Sequence, residues 1–176
     1  MHFLIIPGLN YSGPKHWLSF WEKSLPDVSR VHQENWEHPE KEDWVNRLSH
    51  YIAELTSDTI LVAHSLGVVT TVEWLVKYQN PLIRGAFLVA PADADHVDII
   101  RSFAPIPLQK LPVPSMVVAS ENDEFETFER AQELAKAWGS QLENVGRLGH
   151  INAKTDHGEW PAGKALLQKF ENSIKL

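Results

Sequence analysis

Thr59-Ile60-Leu61-Val62-Ala63-His64-Ser65-Leu66-Gly67-Val68-Val69 is the stretch whose reading decides the fold. Consecutive apolar residues run into His64-Ser65 and emerge through Leu66-Gly67 into a second apolar stretch, the pattern of a buried parallel strand turning sharply into a helix. The serine stands at the turn. A side chain there is held up at the carboxyl edge of the strand, and the backbone N–H that follows it points at whatever binds. The frame is small-x-Ser-x-Gly, with Ala63 and Gly67 at the two small positions, which must be small because the strand and the returning helix pass close to each other. Alanine adds only a methyl at that crossing.

Working outward, Phe3 to Ile6 is a short apolar run stopped by Pro7-Gly8, a central strand and its turn. The loop Gly8 to Gly13 leads to Pro14, which suits the first turn of a helix capped near Ser12 or Gly13 and stopped by Pro26-Asp27. Val28 to His32 reads as the next strand and Glu34 to Glu42 as an irregular loop. From Asp43 a 3.6 period through Trp44, Leu48, Ile52 and Leu55 predicts a helix. Leu66 to Lys77 is a helix apolar nearly all round. Ile83 to Ala90 and Pro114 to Ala119 are further strands, separated by a proline-containing excursion over Asp98 to Pro112 with one helical turn near Ile99 to Phe103. Such excursions often shape binding sites. Phe125, Phe128, Ala131, Leu134, Ala135 and Trp138 form an amphipathic face, Gln141 to Val145 a short edge strand, and Gly146 to Trp160 a polar loop. Leu166, Leu167, Phe170 and Ile174 give a last helix.

Strands of four to seven residues alternating with helices call for an α/β fold, a parallel sheet with helices on both faces and right-handed crossovers. Ligands in such sheets sit beyond the carboxyl ends of the strands. The polar loops at Gly8 to Gly13, His64-Ser65, Asp93 to Asp95, Asp123 and His150 all gather at that edge.

The 176 residues are a natural size for one domain spanning 1–176. Sixteen basic against 23 acidic residues, net charge −7, with no basic stripe, argue against nucleic acid or an anionic membrane as partner. No cysteine is present, which excludes disulfides, thiolate catalysis and cysteine-based metal sites and fits a reducing cytoplasm. Met1 to Gly8 is too short for a signal peptide and lacks a basic start, and no apolar run reaches the length of a membrane span.

A serine hydroxyl needs a base to take its proton, and a histidine base works best when a carboxylate fixes its tautomer. The chain supplies Ser65, Asp123 and His150 in that order, each in a loop after a strand. Charge developing on a substrate carbonyl needs donors. The N–H of Leu66 is one, and that of Leu9 is the best candidate for the other, with Asn10 next.

The segments Ile6-Pro7-Gly8-Leu9-Asn10-Tyr11-Ser12-Gly13-Pro14-Lys15-His16-Trp17, Ala63-His64-Ser65-Leu66-Gly67, Ser120-Glu121-Asn122-Asp123 and Gly149-His150-Ile151-Asn152-Ala153, with Trp160-Pro161 following, resemble the RBBP9/YdeN family of small serine hydrolases over essentially the whole length. The resemblance implies a reduced α/β-hydrolase fold, a three-layer sandwich around a mostly parallel six-stranded sheet in the order 2-1-3-4-5-6. It also implies Ser65 as nucleophile, Asp123 as acid, His150 as base and Leu9 in the oxyanion hole. The expected activity is hydrolysis of a small carboxylic ester or related acyl compound, carboxylesterase-like, without a cofactor. The competing expectation is a protein-interaction module on the same fold, with partners meeting the loops Asp93 to Pro112 and Glu34 to Glu42.

Several readings stay open at the level of sequence. Asp123 can be a cap for the Phe125 helix, and Asp93, Asp95 or Asp156 can orient His150 instead. His64 is expected to hold structure by a hydrogen bond. Tyr11, Trp36 and Trp160, with Asn10, either line a pocket for the acyl or leaving group or pack their loops. Trp17, Trp21, Trp44 and Trp138 fall on helix faces and belong to the core. The nine histidines form no HExxH arrangement, so no metal is expected, and the GxGxxG spacing of a nucleotide loop is absent. With no inserted cap domain, the pocket should be shallow and the substrate small.

Overall fold

Alternate residues of each strand divide the core into two halves. In a computed structural model describing residues 1–175, β1 (His2–Ile6), β2 (Val28–Arg30), β3 (Thr59–Ser65), β4 (Ile83–Pro91), β5 (Ser115–Ala119) and β6 (Gln141–Asn144) form one sheet in the order β2-β1-β3-β4-β5-β6. Every pairing is parallel, so the mostly parallel expectation sharpens to a fully parallel sheet. Leu4, Ile6, Leu61, Ala63, Leu88 and Val117 face α2 (Lys41–Ala53), α3 (Leu66–Lys77) and α4 (Phe128–Trp138). Phe3, Ile5, Val62, Phe87, Val89 and Val118 face α1 (Trp17–Ser24) and α5 (Pro161–Ile174). The period-2 pleat thus builds the three layers directly. The interior strands are buried on both faces, which is why their sequences read as unbroken apolar runs. Among the described residues no helix is long and apolar enough to cross a membrane.

Two helix starts differ from the periodic reading. Helix α1 begins at Trp17, capped by His16, whose Nδ1 accepts the Leu18 N–H at 3.2 Å; Pro14 lies in the turn before it rather than in its first turn. Helix α4 begins at Phe128, capped by the Thr127 hydroxyl, which accepts the Arg130 N–H at 3.2 Å. Phe125 therefore lies outside the helix and is available to the loop. In both places a polar cap overrules the apolar spacing, because orphan N–H groups at a helix start need an acceptor.

The aromatic layer under α5 explains another departure. Trp160 is 4% exposed, stacked on Trp21 (5.9 Å, 13°) and edge-on to Trp17 (5.1 Å, 62°). Gly163 makes room for it: a Cβ there would lie 2.2 Å from the Trp160 ring. The ring is a core wedge between α1 and α5 rather than a pocket wall.

Candidate active site

Ser65 ends β3 and precedes the first turn of α3, with φ 57° and ψ −122°. An L-residue held there stores roughly 1–3 kcal/mol of strain, of the kind that accumulates at functional turns. Two glycines make the turn fit. A Cβ on Gly8 would lie 2.8 Å from Ser65 Cβ, and a Cβ on Gly67 would lie 2.1 Å from the Ile6 carbonyl oxygen. The crowding at Gly67 is thus against the end of β1, the neighbouring strand, and not against the strand that leads into the helix.

The β6–α5 loop is sewn onto the loop after β5. Leu148 N–H donates to Ser120 Oγ (2.9 Å), Gly149 N–H to Asn122 Oδ1 (2.8 Å) and Glu121 N–H to the Gly146 carbonyl (2.8 Å). Gly149 has φ 61°, a conformation glycine adopts without strain. This stitching brings His150 against both partners. Its Nδ1 lies 2.8 and 2.9 Å from the two Asp123 carboxylate oxygens, and its Nε2 lies 2.8 Å from Ser65 Oγ. The carboxylate accepts only, so Nδ1 carries the proton and Nε2 is left bare to accept from the serine hydroxyl. The Phe125 ring closes over the imidazole edge-on at 4.6 Å.

The other carboxylates are engaged elsewhere. Asp93 binds His96 (2.6 Å) and accepts from the Asp95 N–H, while Asp95 pairs with Arg130 (2.6 Å) and accepts from the Ile106 N–H. Asp156 sits at the end of the 3₁₀ turn Ala153–Thr155. Among the described residues none of the three hydrogen-bonds to His150, and Asp123 is the carboxylate placed against it. Asp123 also accepts the Phe125 N–H at 2.8 Å, which makes it the hinge of a turn and not a helix cap.

Leu66 opens α3 and Leu9 opens the 3₁₀ turn Leu9–Ser12. As first residues of their turns, their N–H groups have no acceptor within those turns, and both residues line the cavity that contains Ser65. That cavity measures about 280 Å³, just below the usual range for small-molecule pockets, so it suits a small group. Its apolar walls include Leu9, Leu66, Val97, Ile100 and Phe125, and Asn10, Asn152 and Lys154 are among its polar groups. Tyr11 and Trp36 do not line it. They pack edge-on against each other at 5.2 Å, and Trp36 leans on Trp44 at 5.6 Å, so both support the loop from behind.

Sequence reasoning missed Phe125, His16 and the apolar residues Val97 and Ile100. The signal for Phe125 was Thr127, a better helix cap than Asp123 for an apolar face beginning at Phe128.

His64 and His16 form a buried pair beside the base. His64 Nε2–H donates to the His150 carbonyl at 2.9 Å, and the two rings of the pair stand 4.6 Å apart. Burial, reinforced by the Arg30 charge and the neighbouring histidines, pushes His16 down to about 3. Burial likewise, with His16 and His150 nearby, holds His64 well below its ordinary value. Both therefore stay neutral in the folded protein while the unfolded chain takes up protons below about pH 6.5. Each should then make stability fall as pH drops below about 6.5, His16 down to its folded value of about 3 at up to about 1.4 kcal/mol per pH unit, and His64 in the same direction. Glu126 works in the opposite sense. Burial and the charges of Asp123 and Asp93 raise it well above 4.5, so its contribution is present at low pH and is lost as pH rises through its raised value. Urea denaturation of wild type and His64→Gln between pH 7 and pH 5 isolates the histidine, since glutamine keeps a donor for the His150 carbonyl but does not titrate. The variant should lose less stability on acidification than wild type, and equal losses would show that His64 takes up no differential proton.

Among the described residues no three His, Cys, Asp or Glu side chains gather as a metal site. What the geometry supplies is a serine hydroxyl hydrogen-bonded to His150, in a cavity that Leu9 and Leu66 also line.

The family model described as serine hydrolase matches residues 3–169 of the chain. YdeN of Bacillus subtilis strain 168 is 27% identical over 159 residues, covering 84% of each protein. Among solved structures, a YdeN-like protein from Pectobacterium atrosepticum is 34% identical with a TM-score of 0.90, over 98% of this chain and 91% of that one. Est1E of Butyrivibrio proteoclasticus, solved with ferulic acid bound, is similar at a TM-score of 0.72 and 16% identity, over 99% of this chain and 89% of that one, a likeness of fold alone.

Proposed function

Because the chain belongs to the serine hydrolase family, we propose that it cleaves a small carboxylic ester or a related acyl compound through an acyl-serine intermediate. The observation that carries this reading is the continuous hydrogen-bonded series from Ser65 Oγ through His150 to Asp123, opening on a small apolar cavity.

His150 Nε2 takes the Ser65 proton as Oγ bonds to the acyl carbon. The C=O electron pair moves to oxygen, and the N–H groups of Leu66 and Leu9 hold the resulting anion. The anion collapses, the bond to the leaving group breaks, and His150 returns its proton to that group. Water then repeats the sequence, with His150 as base, and releases the acid from Ser65. Asp123 keeps the proton on Nδ1 and stabilises the imidazolium that forms at each stage. Apart from the attacking water, the nucleophile, the base, the acid and the anion donors of this sequence are all residues of the chain.

The cavity volume favours short acyl groups over long chains, and the carbonyl chemistry accommodates thioesters and activated amides as well as esters. A fluorophosphonate probe followed by peptide mapping tests the reading, together with a panel of activated acyl esters of increasing chain length. One probe per chain at Ser65, and rates that fall beyond short acyl groups, are the expected results. Folded protein that takes no label and turns over no ester would favour the protein-interaction reading instead.

A further inference from the structure

We infer that Arg30 is a positioning residue for the oxyanion loop: from the edge strand β2 it clamps the left-handed run Asn10-Tyr11-Ser12 and thereby aims the Leu9 N–H. The inference rests on the acyl-hydrolase reading and on Leu9 as a donor in it.

Asn10, Tyr11 and Ser12 have φ values of 57°, 70° and 54°. Three successive side-chain-bearing residues in this region do not arise from local preference, because the Cβ of each crowds its own backbone. Something outside the loop must hold them. The Trp36 carbonyl accepts the Asn10 N–H at 3.4 Å, and the largest share of the hold on Tyr11 and Ser12 comes from Arg30. Arg30 Nη2 donates to the carbonyls of Tyr11 and Ser12, the latter at 2.8 Å, and its guanidinium carbon lies 4.3 Å from the Tyr11 ring centroid. Arg30 Nη1 donates to Ser19 Oγ and Glu22, each at 3.0 Å, and the Ser19 hydroxyl in turn reaches the carbonyls of Ser12 and Gly13 at 3.1 and 3.0 Å.

The location makes this a device for conformation rather than a surface ion pair. Arg30 is 3% exposed, and a buried guanidinium is retained at a desolvation cost that an apolar residue on the same strand would not carry. In return one arm of its planar fork, Nη2, meets both carbonyls while the other, Nη1, holds Ser19 and Glu22, a division that the single nitrogen of a lysine cannot reproduce. Both carbonyls belong to the segment immediately after Leu9. Gly8 on the other side of Leu9 is pressed against Ser65. Leu9 is therefore held between a fixed nucleophile and a clamped loop, and the direction of its N–H follows from the two.

The test uses Arg30→Met, Arg30→Lys and Ser19→Ala, with turnover of a short activated ester, melting by near-ultraviolet circular dichroism, and separate kcat and KM. A group that only holds the fold would shift melting and leave kcat in the surviving folded protein intact. Arg30→Met is expected to lower kcat at least about 10-fold with KM within about threefold of wild type, as loss of a donor used only by the transition state requires. Arg30→Lys should recover part of that loss. Ser19→Ala, which deletes one hydroxyl from the clamp, should lower kcat severalfold at unchanged KM, and it decides the matter if Arg30→Met does not fold. Folded variants with wild-type kcat, or with a raised KM alone, overturn the clamp and leave the hydrolase reading standing. A wild-type protein with no esterase activity removes both.

Discussion

Ser65→Ala is expected to lower kcat for any ester the protein turns over by at least about 10⁴-fold, to the level that binding and backbone donors give by themselves. Asp123→Asn should cost about 10³- to 10⁴-fold, because the amide no longer forces the proton onto His150 Nδ1 and no longer stabilises the imidazolium. The two losses should not add. Once Ser65 is gone there is no proton for His150 to take, so the double variant is expected to match Ser65→Ala. Asp93→Asn and Asp95→Asn are the controls. Their carboxylates serve Arg130, His96 and backbone N–H groups, so turnover should stay within a few-fold of wild type in folded protein. The measurement is kcat and KM for the four single variants and the double. An Asp123→Asn variant with wild-type turnover would refute the assignment of the acid.

The second large effect is expected at Gly67. A Cβ there would stand 2.1 Å from the Ile6 carbonyl oxygen and 2.7 Å from that of Pro7, so Gly67→Ala forces β1 and the first turn of α3 apart. Overpacking against rigid backbone should cost about 3 kcal/mol or more. The same shift moves Ser65, the Leu66 N–H and the chain leading to Leu9, and a displacement near an ångström at reacting groups costs about 10²-fold in turnover. Ala63→Gly is the informative contrast. Ala63 is buried within β3, and losing its methyl there should cost only roughly 1–2 kcal/mol. Urea midpoints and kcat/KM on both variants check this, and the crossing argument collapses if Gly67→Ala is as stable and active as Ala63→Gly.

Much of the fold was legible because its signals are local. Apolar runs broken by Pro7-Gly8 and His64-Ser65, and the helical period through Trp44, Leu48 and Ile52, depend only on neighbours along the chain. The strand order came by resemblance and agrees with the sheet. Where local signals competed, spacing misled. Phe125 continued the apolar period of α4, yet the Thr127 cap starts the helix only after it. Trp160 stood in a loop after a strand, yet the flat face of Gly163 admits it to the core.

The sequence by itself determined the alternation of strand and helix, the strained serine turn between small residues, and the presence of an acid and a histidine in later loops after strands. Only the tertiary structure decided which carboxylate meets His150, that Phe125 covers it, and that a buried arginine holds the loop after β1 in a left-handed path. The reason is range. Asp123 and Ser65 lie 27 and 85 residues from the histidine they contact. Whether such groups meet depends on how whole loops are sewn to one another, by carbonyls and amides that every residue carries and no residue type announces.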